Sequence, residues 1–297
     1  MRRRSVLALI AGAALTPALA LDGAEGRGFH GSARWGVSDT RLGGVSGIHV
    51  HADGLRFLAL SDRGRLIAGR FSRDASGRVS GVTVEAIHPL RGPDGKPLAP
   101  EDADSEGIAV DGKGRIFVSF EGLRAARVLA YDRPDGPATA LPRPPEFAAL
   151  RLNKALEALA IDRAGRLHTL PEDPRGDVFP LFRLDADRWR VIARLPRIDR
   201  FLPVAADFGP DGRFYLLERD FLLPAGFSSR LRRFRPDDWH RPETLIQTRA
   251  GRFGNLEGLS VTPTPDGQIR VTMVSDDNFL PVQRAEIVEY LLPGPLG

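Results

Sequence analysis

The amino-acid sequence predicts an all-β protein with the architecture of a β-propeller, on three observations. A strand–turn–strand unit recurs five times between residues 46 and 278, each time with two hydrophobic runs around an Asp/Gly turn. Each unit is followed by one or two further short strands, as in a propeller blade. Helical periodicity is scarce. The turn glycines that mark the five units are Gly54, Gly114, Gly165, Gly212 and Gly267.

Residues 1–20 precede the repeats and are typical of an export signal. They combine a basic start, an apolar run from Val6 to Leu15 and the small-residue cleavage pattern Ala18-Leu19-Ala20. The segment RRSVLAL resembles the twin-arginine signal, which implies that the twin-arginine translocase carries the folded protein into the periplasm. An ordinary Sec signal or an uncleaved anchor is the alternative. Because the apolar run is short for a membrane span, we expect no stable span after cleavage.

The charge balance and the cysteine count exclude several function classes. Removal of the signal with Arg2, Arg3 and Arg4 takes Lys+Arg from 42 to 39 against 38 Asp+Glu, so the mature net charge is about +1. The chain also has no aromatic–basic platform, and we therefore expect no nucleic-acid partner. It has no cysteine, which excludes disulfides, thiolate catalysis and Cys-ligated zinc.

The first three units show the strand order most clearly. SGIHVHADGLRFLALSDRG (46–64) is followed by strands at RLIAGRFSR and RVSGVTVEAIH. SEGIAVDGKGRIFVSFEG (105–122) is followed by RVLAYDR, and LEALAIDRAGRLHTLPED (156–173) by PLFRLDADRWRVIARL. Each hairpin with its following strands accounts for one blade.

The last two units complete the count of blades. AADFGPDGRFYLLERD (205–220) is followed by SRLRRFRP and ETLIQTR, and LEGLSVTPTPDGQIRVTMVSDDN (256–278) by RAEIVEYLL. That final strand is expected to pair with an N-terminal strand near Ala33–Val37, which would remove the open sheet edges. Only Pro145–Lys154 suggests a short helical turn. Five blades can be counted directly, a sixth would need degenerate segments, and residues 21–297 form one predicted domain.

Acidic residues occur at matching ends of the repeated strands. Glu106, Glu157 and Glu257 open the first strand of three units, with Ser46 in the first copy and Asp207 only approximately in that place in the fourth. Because the first strand of every blade lines the central channel, these acids should converge on one mouth. The acids that end the second strands are Asp62, Glu121, Glu172, Glu218 and Asp276.

Such a crowd of carboxylates predicts a bound cation. Two unit charges ~4 Å apart repel by about 4 kcal/mol at an effective dielectric near 20, so the mouth needs cations, protons or paired arginines. Oxygen ligands without cysteine favour calcium over zinc. We expect Glu106, Glu157, Glu257 and Asp207 to be the metal ligands. The alternative is structural, since acids at strand ends also increase solubility and blunt edge pairing.

Four segments carry a resemblance to a known family: SEGIAVD, NKALEALAID, DGRFYLLERDF and NLEGLSVTPTPDG with VSDDNF. They are similar to motifs of the bacterial phytase-like propeller family, "esterase-like activity of phytase", over about residues 40–293. The resemblance implies a propeller, export and hydrolysis of esters or phosphoesters. The chain lacks the RHGxRxP motif of histidine phosphatases, and it does not match the calcium-rich site of alkaline β-propeller phytases residue by residue.

These observations support a metal-dependent hydrolase of a small ester or phosphoester. A calcium-type ion would act as Lewis acid, one carboxylate would accept a proton, and basic side chains would neutralise the oxyanion. The candidate catalytic residues are Glu172, Glu218, Arg63, Arg219 and Lys154. The chain has no GxSxG, HExxH or P-loop motif for another mechanism.

Two other functions use the same features. One is a gluconolactonase-like lactonase, which needs the same metal and acids on a propeller. The other is a non-enzymatic periplasmic propeller that binds a ligand or a protein and keeps calcium for structure alone, since one fold serves both uses. An open coordination position beside a basic group at the mouth would favour the enzyme.

Overall fold

The structure is a computed structural model that describes residues 27–35, 43–122, 126–150, 154–172, 176–276 and 285–294. In these ranges twenty strands form five four-stranded antiparallel sheets, which are the blades of a five-bladed β-propeller. The predicted fold class is confirmed, and a sixth blade has no counterpart among these residues. The predicted signal, residues 1–20, lies outside them. Within the same ranges no helix is long and apolar enough to cross a membrane.

The strands follow one another in chain order, one N-terminal strand and then the blades. The first strand is β1 (Phe29–Arg34). The first blade contains β2 (Val45–Val50), β3 (Arg56–Ser61), β4 (Arg65–Arg73) and β5 (Val79–Pro89). After a 3-10 turn at Pro100–Asp102, the second blade contains β6 (Ser105–Val110), β7 (Ile116–Phe120), β8 (Arg127–Tyr131) and β9 (Ala138–Ala140).

The remaining blades repeat this order. The short helix α1 (Pro145–Ala148), a single turn as predicted, leads into the third blade. That blade contains β10 (Leu156–Ile161), β11 (Leu167–Pro171), β12 (Val178–Asp185) and β13 (Arg188–Pro196). The fourth contains β14 (Leu202–Phe208), β15 (Phe214–Leu222), β16 (Gly226–Arg235) and β17 (Asp238–Gln247). The fifth contains β18 (Asn255–Pro263), β19 (Ile269–Asp276), β20 (Glu286–Leu292) and β1.

The fifth blade closes the ring through the two ends of the chain. β1 pairs antiparallel with β20, with Ala33 opposite Ile287, so the N-terminal strand becomes the outermost strand of the last blade. This confirms the predicted closure, although the strand begins at Phe29 rather than near Ala33. Pairing of the two ends gives the last blade its fourth strand, β1, which comes from the N-terminal part of the chain.

The five innermost strands, β2, β6, β10, β14 and β18, contact one another in a closed ring around a narrow channel. The apolar core lies between adjacent blades; one cluster, for example, joins Ile48 of the first blade to Val274 of the fifth. At its centre the channel has a cavity volume of only about 10 Å³, room for about one water molecule. The two ends of the channel are therefore separate places on the molecule.

Candidate active site at the channel mouth

Each innermost strand carries a β-bulge at the same place, near its first residues. A bulge leaves one residue outside the strand ladder and re-aims its side chain. The residues in this position of the five blades are Ser46, Glu106, Glu157, Val204 and Glu257. Three carboxylates are thus directed into one end of the channel by a repeated backbone irregularity. We call this end the mouth.

Small residues directly after the bulges let the blades approach closely. A Cβ atom on Gly107 would lie 2.7 Å from the Ser119 Oγ and 2.8 Å from the Glu157 carbonyl oxygen. A Cβ atom on Gly258 would lie 2.5 Å from the Val274 side chain. The inner strands therefore pack through glycine, and the resulting narrow ring holds the carboxylates of different blades close together.

A second set of side chains reaches the mouth from the end of the second strand of each blade. In each blade this residue comes directly after the one that pairs with the residue before the bulge. The backbone N–H of Asp62 donates to Gly44, that of Glu121 to Asp104 and that of Glu172 to Ala155, at 2.8 to 3.1 Å. Asp276 is the equivalent residue of the fifth blade. In the fourth blade Arg219 takes this position, opposite Leu202. One blade thus supplies a cation where the other four supply an acid.

The prediction that Glu218 lies at the mouth is wrong. Glu218 pairs with Pro203, one residue before Arg219, and because strand side chains alternate its carboxylate lies on the other face of the sheet. It is fully buried and accepts hydrogen bonds from Arg230 Nε at 2.9 Å and Arg232 Nε at 2.7 Å. Glu218 is therefore part of a buried ion pair within the fourth blade.

Asp207 also does not join the other predicted metal ligands. Its carboxylate accepts hydrogen bonds from the backbone N–H groups of Val261 at 2.7 Å and Phe208 at 2.8 Å. Val261 follows Glu257 by four residues on β18, roughly 13 Å at the rise of a strand. Asp207 therefore lies towards the opposite end of the channel, where it lines a separate cavity with His49.

Two cations neutralise one half of the mouth. The Arg219 guanidinium donates to Asn255 Oδ1 at 2.8 Å, contacts Glu257, and lies 3.4 Å from Glu172 Oε1. Lys154 Nζ donates to Glu172 Oε2 at 2.9 Å. Burial opposes the charge of Arg219, yet the carboxylates of Glu257, Glu157 and Glu172 raise its pKa. Arg63 lies in the turn after β3 with an exposed side chain.

The other half of the mouth holds the acids without such partners. Asp104, Glu106 and Glu121 each offer an oxygen atom, and these atoms all lie within 4.8 Å of one another. Ala155 donates its backbone N–H to Glu121 Oε2 at 3.0 Å, which fixes one of the carboxylates. Glu157 is only 7% exposed and makes no hydrogen bond or ion pair with any residue that the structure describes.

The sequence analysis did not identify Asp104 because this residue lies directly before β6 and outside the repeated strand pattern. The signal was present in the segment DADSEG: Asp104 lies opposite Glu121 in the hairpin, two residues before Glu106. A search for acids opposite one another across the hairpin base would have found it. The structure thus brings together Glu106, Glu157, Glu257, Glu172, Arg219 and Lys154 of the predicted site residues. It also places there Asp62 and Glu121, two of the acids predicted at the ends of the second strands, and adds Asp104.

The pKa values of the mouth carboxylates reflect their crowding. Burial, then the charges of Glu157 and Glu121, raise the pKa of Glu106 well above its ordinary value. Burial, then the charges of Glu121 and Glu172, do the same for Glu157. Burial is also the main reason that the pKa of Glu121 rises to about 7 and that of Asp62 to about 6. Unless a cation is bound, the mouth therefore keeps protons near neutral pH.

The donor set of the mouth fits a hard divalent cation. All the donors are oxygens, three of them are close enough to share one ion, and a buried carboxylate without a partner lies next to them. Binding of a cation would offset the repulsion that otherwise forces these groups to be protonated. Asp104, Glu106 and Glu121 would hold the ion, and Glu157 faces the same space.

A cavity of about 680 Å³ adjoins the neutralised half of the mouth. Lys154, Glu172, Arg219 and Glu257 line it, so basic and acidic groups of the mouth are accessible from this space. Its volume is in the range that binds small molecules. The mouth therefore combines a group of carboxylates that could hold a cation with basic groups and, on the basic side, room for a small ligand.

Comparisons with known proteins agree with this architecture. The sequence pattern of a phytase-like family, described as esterase-like activity of phytase, matches residues 40–279. A search of curated proteins gives no match.

Solved structures with a similar fold include three carbohydrate-related enzymes. The catalytic domain of a GH62 α-L-arabinofuranosidase from Coprinopsis cinerea is 15% identical, with 88% of this chain and 96% of that one covered and a TM-score of 0.52. An endo-arabinase from Bacteroides thetaiotaomicron is 13% identical, with 84% and 94% covered and a TM-score of 0.50. A gluconolactonase from Xanthomonas campestris is 15% identical, with 83% and 72% covered and a TM-score of 0.47. At such identities the first two structures show a shared fold and nothing more.

Proposed function

This chain belongs to the phytase-like family described as esterase-like activity of phytase, and we propose that it is a metal-dependent hydrolase of small esters or phosphoesters. The observation that carries the proposal is the asymmetry of the mouth. Asp104, Glu106 and Glu121 gather oxygen ligands on one side, and Arg219 and Lys154 place positive charge on the other. A hydrolase of this kind needs both, one for the reacting oxygen and one for the anionic part of the substrate.

The side chains divide the work as follows. A divalent ion bound by Asp104, Glu106 and Glu121 would supply Lewis-acid chemistry. Glu157 would accept the proton of the attacking water, because its carboxylate makes no hydrogen bond or ion pair among the described residues and burial makes it a stronger base. Arg219 would stabilise negative charge that develops on the substrate oxygen.

Glu172 is less suited to the base role that its sequence position suggested. Its carboxylate contacts both Lys154 and Arg219, which compete for its lone pairs. We assign it to positioning these two cations at the cavity wall. Lys154, with a side chain 37% exposed, would then contact the anionic group of the substrate directly.

Calcium is the ion that we propose. The chain contains no cysteine, and the three converging side chains all offer carboxylate oxygens, which hard cations prefer. Three carboxylates from one blade, with a fourth facing them from the next, would supply the flexible oxygen coordination that calcium accepts more readily than magnesium does.

We also propose that the protein acts in the periplasm after export by the twin-arginine translocase. The proposal rests on residues 1–20, with their paired arginines, apolar run and cleavage pattern. The net charge of the mature chain is close to zero, which agrees with a small-molecule substrate rather than a nucleic acid.

The test is a substrate panel assayed with the mature protein, with calcium and with chelator. Phosphomonoesters, phytate, carboxyl esters and lactones should be compared for the parent, Glu106→Gln and Glu157→Gln. Glutamine keeps the size and one acceptor oxygen but removes the charge. We expect hydrolysis of at least one ester class in calcium, and a loss of at least a hundredfold in either variant.

Glu85→Gln serves as the matched control, because Glu85 is half-exposed on β5 and away from the mouth. It should retain the parent activity. Turnover that chelator and both mouth substitutions leave unchanged would refute the proposed site. Calcium binding without turnover of any substrate would favour the non-enzymatic binding propeller.

A further inference from the structure

One hairpin of the fourth blade extends past the mouth. Within the residues that the structure describes, the second strands of the other blades extend to Ser61, Phe120, Pro171 or Asp276. These positions are equivalent to Glu218 of the fourth blade or lie one residue beyond it. β15 instead continues to Leu222, which pairs with Gly226 at the start of β16. The extra paired residues add roughly 13 Å of hairpin above the mouth.

This extension carries an aromatic pair that lines the site cavity. Phe221 and Phe227 are cross-strand partners, and their ring centroids are 4.7 Å apart. Both line the same cavity as Arg219 and Glu257. Phe221 is 47% exposed and is one of the residues that line the cavity, so part of its apolar side chain is open to water. Covering such a surface with an apolar ligand is favourable by about 25 cal/mol per Å².

Two further arginines lie beside the aromatic pair. Arg200 lies 3.5 Å from Asp220 and donates to the Phe221 carbonyl oxygen at 3.4 Å, which ties it to the hairpin. Arg197 is half-buried in the cavity wall, and among the residues that the structure describes no carboxylate lies within ion-pair distance of it. The wall therefore offers positive charge close to an apolar face.

We infer that the site takes amphipathic substrates, phosphate or carboxylate-bearing esters whose aryl or alkyl group packs on Phe221 and Phe227. The anionic group would contact Arg197 and the cations of the mouth, while the rings cover the apolar group. A small ester with one hydrophobic group fits this wall better than phytate, which is densely anionic and has no apolar part. The inference rests on the proposed function only in that it calls the bound molecule a substrate. The binding preference does not depend on hydrolysis.

The test measures binding of two phosphonates, whose carbon–phosphorus bond the enzyme does not hydrolyse as an ester. Isothermal titration calorimetry of the mature protein in calcium should compare benzylphosphonate with methylphosphonate. We expect benzylphosphonate to bind at least tenfold more tightly. Phe221→Ala and Phe227→Ala should each reduce that ratio about threefold or more, with little change for methylphosphonate. Leu223→Ala is the matched control, because Leu223 is 82% exposed on the same hairpin and does not line the cavity.

The outcomes separate this inference from the proposed function. Equal affinity for the two phosphonates, or no binding of either, overturns the inference, as does a preference that survives both phenylalanine substitutions. A preference that both substitutions reduce supports it even if no ester is hydrolysed, in which case only the proposed function fails. Phe221→Leu retains a large apolar side chain and should keep most of the preference for benzylphosphonate. This result would show that Phe221→Ala does not act by disrupting the hairpin.

Discussion

Glu157 and Glu218 are buried glutamates of neighbouring blades in opposite electrostatic surroundings. Glu218 is enclosed by the guanidinium groups of Arg230 and Arg232, whereas the charges of Glu121 and Glu172 acting on Glu157 exceed the opposing charge of Arg219. Removing one partner of a buried ion pair leaves an uncompensated charge, which is strongly destabilising, whereas a buried carboxylate among other carboxylates destabilises the fold and indicates a functional role. The contrast indicates that Glu157 has a functional role at the mouth, whereas Glu218 has a structural role within its blade.

The same substitution should therefore have opposite effects at the two sites. Glu218→Gln leaves two buried arginines without a counter-charge and should reduce the free energy of unfolding by about 3–5 kcal/mol. Glu157→Gln removes a repelled charge and should increase it at pH 8 in chelator. Urea unfolding followed by circular dichroism measures both. Equal destabilisation by the two substitutions would contradict the contrast.

The pH dependence of stability should also reveal the crowded acids. An ordinary unfolded glutamate loses its proton near pH 4.5, whereas folded Glu121 has a pKa of about 7 and folded Asp62 one of about 6. Between these values the folded state binds more protons, so stability is greatest at the acid end and falls as pH rises towards 7. Each such group contributes a slope of up to about 1.4 kcal/mol per pH unit.

Calcium should reverse this trend, because it binds the ionised carboxylates. We expect the melting temperature in chelator to decrease from pH 5 to pH 8, and the increase caused by added calcium to be larger at pH 8. A chelated protein with a flat profile over this range would show that the acids are already neutralised by the arginines. The parent and Glu157→Gln should be compared in the same buffers.

The sequence predicted that acidic residues lie together at the mouth, but it did not predict the strand register of every blade. Glu106, Glu157 and Glu257 could be placed because each follows the same hairpin pattern. Glu218 could not, because an arginine takes the equivalent place in its blade and a one-residue offset reverses the face. No local pattern distinguishes those two registers.

At the scale of the elements, the bulge in each inner strand directs one side chain per blade into the mouth, and three of these side chains are carboxylates. Without it, Glu106 would belong to the alternating ladder and its carboxylate would be directed by the pleat alone. The bulges could not be read from the sequence, since they depend on how neighbouring inner strands pack. The hairpins themselves could, because Asp/Gly turns and alternating apolar residues mark them locally.

Gly107 tests this packing directly. Gly107→Ala would place a Cβ atom 2.8 Å from the Glu157 carbonyl oxygen and should lower the free energy of unfolding by about 1–3 kcal/mol. It should also weaken calcium binding, because it displaces β6, which carries the ligand Glu106, relative to the neighbouring inner strand. Isothermal titration calorimetry and urea unfolding measure the two effects.

Gly112→Ala is the control on the same hairpin. A Cβ atom there meets nothing within 4 Å, and Gly112 does not have a left-handed φ angle. The substitution should be neutral or raise stability by up to about 1 kcal/mol. If Gly107→Ala were equally harmless, close packing of the inner strands would not be what positions the carboxylates.

At the scale of the whole molecule, the propeller closes through β1 and β20, so the chain must be complete before its last blade forms. We propose that this folding precedes export through the twin-arginine translocase, on the basis of the paired arginines in residues 1–20. Arg3→Lys with Arg4→Lys should therefore leave the unprocessed protein in the cytoplasm, as immunoblots of cell fractions would show. Normal processing of the parent in cells without the twin-arginine translocase would point to another route.

The central claim is that the acidic mouth is a cation site, and anomalous diffraction tests it most directly. Crystals of the mature protein grown in calcium, or soaked in manganese as its substitute, should show one anomalous peak at the mouth. We expect carboxylate oxygens of Asp104, Glu106 and Glu121 at about 2.3–2.6 Å from calcium. A mouth without a peak at saturating calcium, or a peak only beside Asp207 at the opposite end, would contradict the claim.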